Sequence, residues 1–348
     1  MSHDYAARID GEGFAEWYRE REWAENIREG KPYFNGPSPV APPEKHSPSS
    51  LLQCHRKIYY RQENAPAERE EPEGIFWAGT RFEEDVIVPF LADVVHDEDA
   101  YVRNSMWVDF EVETDEGLVW FKGATDPCLV DRQAEPVLPT EVKTKGEVDY
   151  LDEPNRHHRA QVHAYMRGLS EKHDREVDEA VVIYGSRKTL NVQTFVVEFD
   201  DAFWEEVVAW AADHTEARKR GELPAAEPEY DWECQFCDYR HRCGQSDEPY
   251  HNVGPAGFLP HFDAYPRERV VEYLRAHETA RLTPTLARAY PELAEQHTVN
   301  SWSCHDCGRC FEWDAVEPPT ETTDSPICPR CAEEGTLATL HSSQSVDD

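Results

Sequence analysis

Residues 123–146 read GATDPCLVDRQAEPVLPTEVKTKG. Two apolar runs in this stretch have the two-residue alternation of β-strands. Asp126 stands towards the end of the first run, and Glu141 and Lys143 point to one side of the second because side chains alternate along a strand. A hairpin can therefore bring two carboxylates and an ammonium together. In a chain with 70 acidic residues this spacing alone predicts little, so the surrounding sequence has to decide.

The flanking sequence predicts an α/β domain built on a mixed sheet. Alternation over 105–113 and 117–130 indicates a hairpin, and 137–145 is a third strand whose regular pairing should begin only after Pro139. Further strands are expected at 179–184 and 192–199.

Helical patterns frame these strands. The apolar spacing of 74–95 predicts a helix with Phe82, Val86 and Phe90 on one face. A helix over 154–167 should end at Gly168 and bury Val162, Met166 and Leu169. The remaining helical patterns are a segment around 17–27, a short helix after Ser49 or Ser50 as cap, and the segments 202–220, 266–277 and 285–296.

The convergent acids have the chemistry of a hard-cation site. Mg²⁺ and Mn²⁺ take carboxylates, a backbone carbonyl and water, so Asp126, Glu141 and the carbonyl of Val142 are candidate ligands. Lys143 can orient or help deprotonate an attacking water and balance charge in a phosphoryl transition state.

The succession of elements resembles the RecB-type branch of the PD-(D/E)XK nuclease superfamily, whose acid and E-x-K motif match Asp126, Glu141 and Lys143. The resemblance covers roughly residues 47–245 and implies a restriction-endonuclease-like core. The family's Q-x-x-x-Y helix motif corresponds to Gln161 and Tyr165. Its G-x-x-x-H motif has Glu83 at the His position, which implies a further metal ligand.

Eight of the ten cysteines fall into two groups, and in a chain expected to be cytoplasmic their spacing predicts metal binding before disulfides. The resemblance extends to nucleases that hold a [4Fe–4S] cluster, such as CRISPR-associated exonucleases and AddB-type subunits. There one Cys precedes the core and a C-x2-C-x5-C triplet follows it, which here are Cys54, Cys234, Cys237 and Cys243. A four-thiolate zinc site built from the same residues is the alternative.

A second cysteine group lies near the end of the sequence. Two C-x2-C pairs, Cys304 with Cys307 and Cys328 with Cys331, stand twenty residues apart and predict a zinc ribbon. The expected division is therefore an N-terminal helical extension with a Pro-rich linker (1–46), the nuclease domain (47–245), a linker with helical segments (246–297), the ribbon (298–341) and a disordered tail (342–348).

The net charge is −35, with acids spread along the whole chain. This is the composition of a halophile's protein, and 39 aromatic residues, 10 Trp, 15 Tyr and 14 Phe, argue against disorder. Salt near 1 M shortens the Debye length to about 3 Å, so the charge does not exclude a DNA substrate. No apolar run predicts a membrane span, and no signal peptide is recognisable.

The candidate site predicts a metal-dependent nuclease, and the resemblance implies that it cuts single-stranded DNA from an end, in DNA repair, recombination or CRISPR adaptation. A helicase or CRISPR adaptation proteins are the implied partners, and any motor would be a separate chain because the sequence has no P-loop. The alternative is a DNA-binding adaptor with a vestigial nuclease site that recognises DNA through its ribbon.

Overall fold

The computed structural model describes residues 11–28, 40–96, 98–247, 254–316 and 325–342. The strands are β1 (Lys45–His46), β2 (Ala100–Arg103), β3 (Trp107–Thr114), β4 (Gly117–Ala124), β5 (Cys128–Asp131), β6 (Pro136–Lys145), β7 (Glu179–Ser186), β8 (Val192–Glu198), β9 (Trp302–Cys304), β10 (Cys310–Phe311) and β11 (Leu340–Ser342). The helices are α1 (Gly11–Arg28), α2 (His55–Gln62), α3 (Glu73–Phe82), α4 (Val88–Val94), α5 (Arg156–His173), α6 (Asp201–Arg220), α7 (Arg240–Cys243), α8 (Arg267–Ala276), α9 (Pro284–Ala289), α10 (Pro291–Ala294) and α11 (Pro329–Glu333).

Two sheets form the centre of the molecule. The larger has the order β2-β5-β6-β7-β8, with β6 and β7 parallel and the other neighbours antiparallel. The smaller has the order β1-β4-β3, and its strand β1 lies before the boundary expected at residue 47. Helix α5 packs against β3 of one sheet and against β6 and β7 of the other. The predicted α/β fold with a mixed sheet and flanking helices is confirmed.

The segment predicted as the second strand of the hairpin, 117–130, forms two separate strands that belong to different sheets. β4 ends at Ala124 and pairs with β3, whereas β5 begins at Cys128 and pairs with β6. The chain crosses between the sheets at Thr125–Pro127, where Pro127 has no N–H to continue a ladder. Asp126 therefore lies in the crossing and not within a strand. Pairing in β6 begins at Pro136, before Pro139, and Pro139 itself lies opposite Cys128 of β5.

A π-helical turn, Glu83–Ile87, joins α3 to α4 and corrects the predicted helix face. Its extra residue rotates everything after it by about 100° relative to a regular helix. Ile87 and Leu91 therefore follow Phe82 into the core, while Val86 and Phe90 are 40% and 53% exposed. Glu83 is the first residue of this turn.

Two predicted helix boundaries are wrong for identifiable reasons. Ser49 and Ser50 lie in a separate 3₁₀ turn, where the Ser50 hydroxyl donates to Ser47 O, and α2 starts only after Cys54. Helix α5 continues past Gly168 to His173, because Gly168 serves packing and not termination. A Cβ on Gly168 would stand 2.8 Å from Val108 and Phe110 of β3. Val162, Met166 and Leu169 are buried as predicted.

The segment expected to be partly linker contains a hydrophobic core of its own, formed by residues between Phe258 and Leu293 on α8, α9 and the loops around them. Arg242 of α7 joins this unit to the preceding domain. Its fully buried guanidinium donates to Gly254 O at 2.6 Å and to Tyr265 Oη at 3.3 Å, and also contacts Gly257 O.

The C-terminal strands β10, β9 and β11 form a small antiparallel sheet around Trp302. Ser342, assigned to the disordered tail, belongs to β11, and the rest of that expectation (343–348) falls outside the described residues. None of the described helices is long and apolar enough to cross a membrane.

The close contact at Gly168 gives a stability prediction. Gly168→Ala should lower the free energy of unfolding by about 1–3 kcal/mol, since the new methyl group has to displace β3 or α5. Gly74→Ala is the matched control, because a Cβ on Gly74 in α3 meets nothing within 4 Å. Denaturant midpoints measure both. Equal midpoints for the two variants would contradict the packing role given to Gly168.

Candidate active site and two cysteine clusters

The centre of the candidate site is the carboxylate of Glu141 on β6, which has no exposed surface. Tyr165 of α5 donates its hydroxyl to Glu141 Oε2 at 3.0 Å, and Gln161 Nε2 donates to Tyr165 Oη at 2.6 Å. The ammonium of Lys143 is in ion-pair contact with Oε1. The i, i+4 spacing of Gln161 and Tyr165 puts both on one face of α5, so this helix fixes the carboxylate from one side.

Asp126 reaches the same place from the crossing between the sheets. Its Oδ2 accepts a hydrogen bond from the backbone N–H of Val142 at 2.8 Å. The Val142 side chain points to the opposite side of β6, into the apolar cluster with Phe82 and Ile87. Alternation along the strand thus leaves Glu141 and Lys143 on one side, as the sequence predicts.

The pKa values of these groups indicate that Glu83 lies close enough to interact with them electrostatically. Burial and the neighbouring charge of Asp126 raise the pKa of Glu141 to about 8. Burial, with Asp126 second, raises the pKa of Glu83 to about 7, and burial raises the pKa of Asp126. Burial opposes the charged form of Lys143, but the carboxylates around it, with Glu141 foremost, outweigh that effect and raise its pKa.

Besides burial, the charge of Asp126 raises the pKa of both Glu141 and Glu83, so the three carboxylates share too little positive charge. Glu141 Oε1 is buried, and among the described residues its partner is the ammonium of Lys143, so this oxygen can also take a cation. Hard cations take carboxylate oxygens as ligands, and a bound cation would offset the repulsion between these groups. The donor types therefore suit Mg²⁺ or Mn²⁺, while among the described residues one oxygen from each of the three carboxylates does not lie within 4.8 Å of the others.

The structure adds residues to this site that sequence reasoning missed. His157, one turn before Gln161 on α5, is not among them, because it lies 3.5 Å from Glu233 Oε1 and packs against Tyr230. Its neighbour His158 faces β6 and β7, where its Nδ1 is 2.7 Å from the Tyr184 hydroxyl. Lys145, two residues beyond Lys143 on the same side of β6, was not singled out although the run E-V-K-T-K carries the alternation that would have shown it.

The four cysteines that bracket the domain line one pocket. Cys54, just before α2, and Cys234, Cys237 and Cys243 meet there although up to 189 residues separate them. Burial raises the pKa of Cys237 to about 12 and also raises those of Cys234 and Cys243. Among the described residues, these sulfurs do not form a group of three or four within 4.8 Å of one another.

The four C-terminal cysteines are packed more tightly. The sulfurs of Cys304, Cys307, Cys328 and Cys331 all lie within 4.8 Å of one another. Two of the Sγ–Sγ distances, Cys304 to Cys331 and Cys307 to Cys328, are 3.7 Å. Zinc at about 2.3 Å from four tetrahedral sulfurs requires a sulfur separation of about 3.8 Å. This group therefore fits one zinc ion.

The chain is similar to several known proteins. The family model of the PD-(D/E)XK nuclease superfamily matches residues 22–244. Among solved structures, the protein SSO0001 is similar with a TM-score of 0.42 and 16% identity, over 69% of this chain and 98% of that one. An alkaline exonuclease from Laribacter hongkongensis is similar with a TM-score of 0.32 and 14% identity, over 51% and 93% of the two chains. No curated protein is similar enough in sequence to be matched.

The raised pKa of Glu141 predicts a pH-dependent effect of Glu141→Gln on stability without Mg²⁺ or Mn²⁺. A carboxyl whose pKa rises from 4.5 to about 8 on folding destabilises the native state increasingly as the pH rises through that window. Glu141→Gln should therefore match wild type near pH 4.5 and melt at a higher temperature at pH 8.

The control for this experiment is Glu113→Gln, since Glu113 is exposed on β3. Its melting temperature should follow that of the wild type at every pH. Adding Mn²⁺ at pH 8 should stabilise wild type more than Glu141→Gln. A Glu141→Gln melting temperature that runs parallel to wild type across the window would refute the buried-charge account.

Proposed function

The chain belongs to the PD-(D/E)XK nuclease superfamily, and we propose that it is a metal-dependent deoxyribonuclease that cuts single-stranded DNA from an end. Preference for single strands and for ends rests on the resemblance to RecB-type nucleases. On the same basis, we propose that the protein acts with a helicase or with CRISPR adaptation proteins, in repair, recombination or adaptation.

One observation carries the proposal: the fully buried carboxylate of Glu141 is in ion-pair contact with the ammonium of Lys143, and Asp126 accepts a hydrogen bond from the neighbouring Val142 N–H. Surface acids in so acidic a chain would face solvent and lie apart. Here the protein encloses them and tolerates raised pKa values, as functional sites commonly do. Asp126, Glu141 and Glu83 would hold the cation, together with the carbonyl of Val142.

Each residue has a distinct part in the proposed reaction. Bound Mg²⁺ or Mn²⁺ supplies positive charge that stabilises the charge developing on the phosphate. Lys143 is held as an ammonium by the surrounding carboxylates, so it donates hydrogen bonds to the attacking water or to a phosphate oxygen. Tyr165, oriented by Gln161, fixes the Glu141 carboxylate and leaves Oε1 facing Lys143.

The pocket of Cys54, Cys234, Cys237 and Cys243 is proposed to hold a [4Fe–4S] cluster. The wider spacing of these sulfurs supports it, because one zinc ion requires four sulfurs about 3.8 Å apart and a multi-iron cluster bridges larger separations. Such a cluster would fasten the segment entering the nuclease core to the segment leaving it. The tight group at Cys304, Cys307, Cys328 and Cys331 is proposed to hold zinc.

Nuclease activity is tested with the full chain, kept anaerobic in high salt with Mn²⁺. Lys143→Ala and Asp126→Ala should each lower the cleavage rate of single-stranded DNA by at least about a hundredfold, the usual effect of removing one transition-state contact. Lys122→Ala is the matched control, since Lys122 pairs with Asp109 on the smaller sheet.

The result that would refute the proposal is a wild-type preparation that cuts no form of DNA and behaves like Lys143→Ala. Retention of DNA binding in that preparation, with loss on deletion of 298–348, would favour the adaptor instead.

The two metal sites are distinguished by elemental analysis and absorption. Cys234→Ser should lose iron and the broad absorption near ~400 nm while retaining about one zinc per chain. Cys328→Ser should lose zinc and retain iron. Zinc at both sites in wild-type protein expressed and purified anaerobically would overturn the iron–sulfur assignment and leave the ribbon assignment standing.

A further inference from the structure

We propose that Lys145 and His158 form a phosphate-binding subsite that takes a backbone phosphate of the DNA strand next to the one being cut. The inference rests on the proposed nuclease function and deepens it, because it assigns substrate-positioning residues outside the predicted motifs. The subsite is a continuation of the candidate active site along β6.

The continuation follows from how α5 lies on β6. Tyr165 of α5 contacts Glu141. His158 lies nearly two turns earlier in the helix, where burial lowers its pKa and the nearby charges of Lys143 and Lys145 add a smaller effect in the same direction. The helix and the strand therefore run in opposite directions. A row of functional groups extends along β6 from Glu141 through Lys143 to Lys145, with α5 beside it.

Lys145 differs from two other partly or fully buried cations of this chain in having no carboxylate partner among the described residues. Acidic residues outnumber Lys and Arg by 70 to 35, and Arg159 and Arg218 each pair with a carboxylate. Within the described ranges, Lys145 has no ion-pair partner, although it is half-buried on β6. Desolvation alone lowers its pKa, with no neighbouring carboxylate to oppose it. This charge is uncompensated in a protein that has carboxylates in excess.

The side chain of Lys145 is nevertheless held in place. Its ammonium lies over the ring of Tyr184, 5.3 Å from the centroid, in the geometry of a cation–π contact. Tyr184 is fully buried on β7, and its hydroxyl accepts a hydrogen bond from the Asn155 N–H at 3.0 Å. A fixed, desolvated cation without an anion is a binding group prepared for an anion from outside the protein.

His158 supplies a neutral donor beside this cation. The Tyr184 hydroxyl, which accepts from Asn155, donates to His158 Nδ1 across 2.7 Å, and this assignment places the imidazole proton on Nε2. Burial holds the pKa of His158 well below its usual range, so the ring is uncharged at neutral pH. A phosphate oxygen can accept from such an N–H while its charge is met by Lys145.

The spacing of the row matches a nucleic-acid strand. Residues two apart on a strand are separated by about 6.6 Å, which is comparable with the distance between neighbouring phosphates of an extended single strand. Lys143 would contact the scissile phosphate, and Lys145 would contact the next phosphate along the strand. The subsite carries no base-reading group, so it positions the strand without regard to sequence.

The test compares wild type, Lys145→Ala, Lys145→Arg and Lys122→Ala for binding of a short fluorescent single-stranded oligonucleotide in Ca²⁺ over a series of KCl concentrations. Because Lys145→Ala loses one phosphate contact, it should bind the oligonucleotide about tenfold more weakly than wild type at low salt. The magnitude of its slope of log K against log salt should be smaller by about 0.7. Lys145→Arg should restore both. Cleavage with Mn²⁺ should show KM raised about tenfold in Lys145→Ala and kcat within about twofold of wild type.

The outcomes separate the subsite from the nuclease. A Lys145→Ala protein whose affinity and salt slope equal those of Lys122→Ala overturns the subsite, whereas the nuclease proposal stands if all these proteins still cut. A fall in kcat with unchanged KM also overturns it, since a positioning residue acts on binding. If wild type binds the oligonucleotide but cuts nothing, the nuclease proposal fails and the salt slope still decides the subsite. If wild type does not bind at all, both fail.

Discussion

The fully buried carboxylate of Glu141 is the constraint around which the centre of this protein is built. A carboxylate without solvent needs hydrogen bonds and a counter-charge, and here Tyr165 and Lys143 supply them only in part because Asp126 stands close by. β6 holds the group from below between two neighbouring strands, and α5 covers it. An arrangement that costs the folded protein stability in this way is consistent with a site kept for a cation and a phosphate.

Two cysteine groups differ in spacing, and the spacing follows from where their ligands come from. The four C-terminal thiols belong to a compact sheet and loop, which closes around a small volume. The other four come from the beginning and the end of the nuclease domain and line a wider pocket. Around that pocket, Glu68 accepts hydrogen bonds from the N–H groups of His241 and Arg242, and Arg242 continues into the core of the next unit. The segment carrying Cys243 thus links the nuclease domain to the C-terminal region.

The sequence predicted the fold well wherever local pattern was sufficient. Strands β7 and β8 and helix α6 fall within a few residues of their expected bounds, because alternation and helical spacing are local properties. Predictions failed where the extent or orientation of an element depends on a part of the structure that the local pattern does not show. Gly168 lies inside α5 because β3 approaches it closely, and Val86 is exposed because a π turn shifts the helix phase. Neither the close approach of β3 to Gly168 nor that turn is visible in the local pattern.

The sequence by itself determined which chemical groups are present and in what order: an acid, an E-x-K pair, a Gln–Tyr helix pair and two sets of thiols. Residue type and short-range spacing fix these. Only the tertiary structure decided that His158 and not His157 faces β6, that Lys145 has no carboxylate partner within the described ranges, and that the four C-terminal sulfurs lie within 4.8 Å of one another whereas those of the other set do not. Each of these depends on contacts between elements far apart in the chain, where packing and not sequence spacing sets the direction of a side chain.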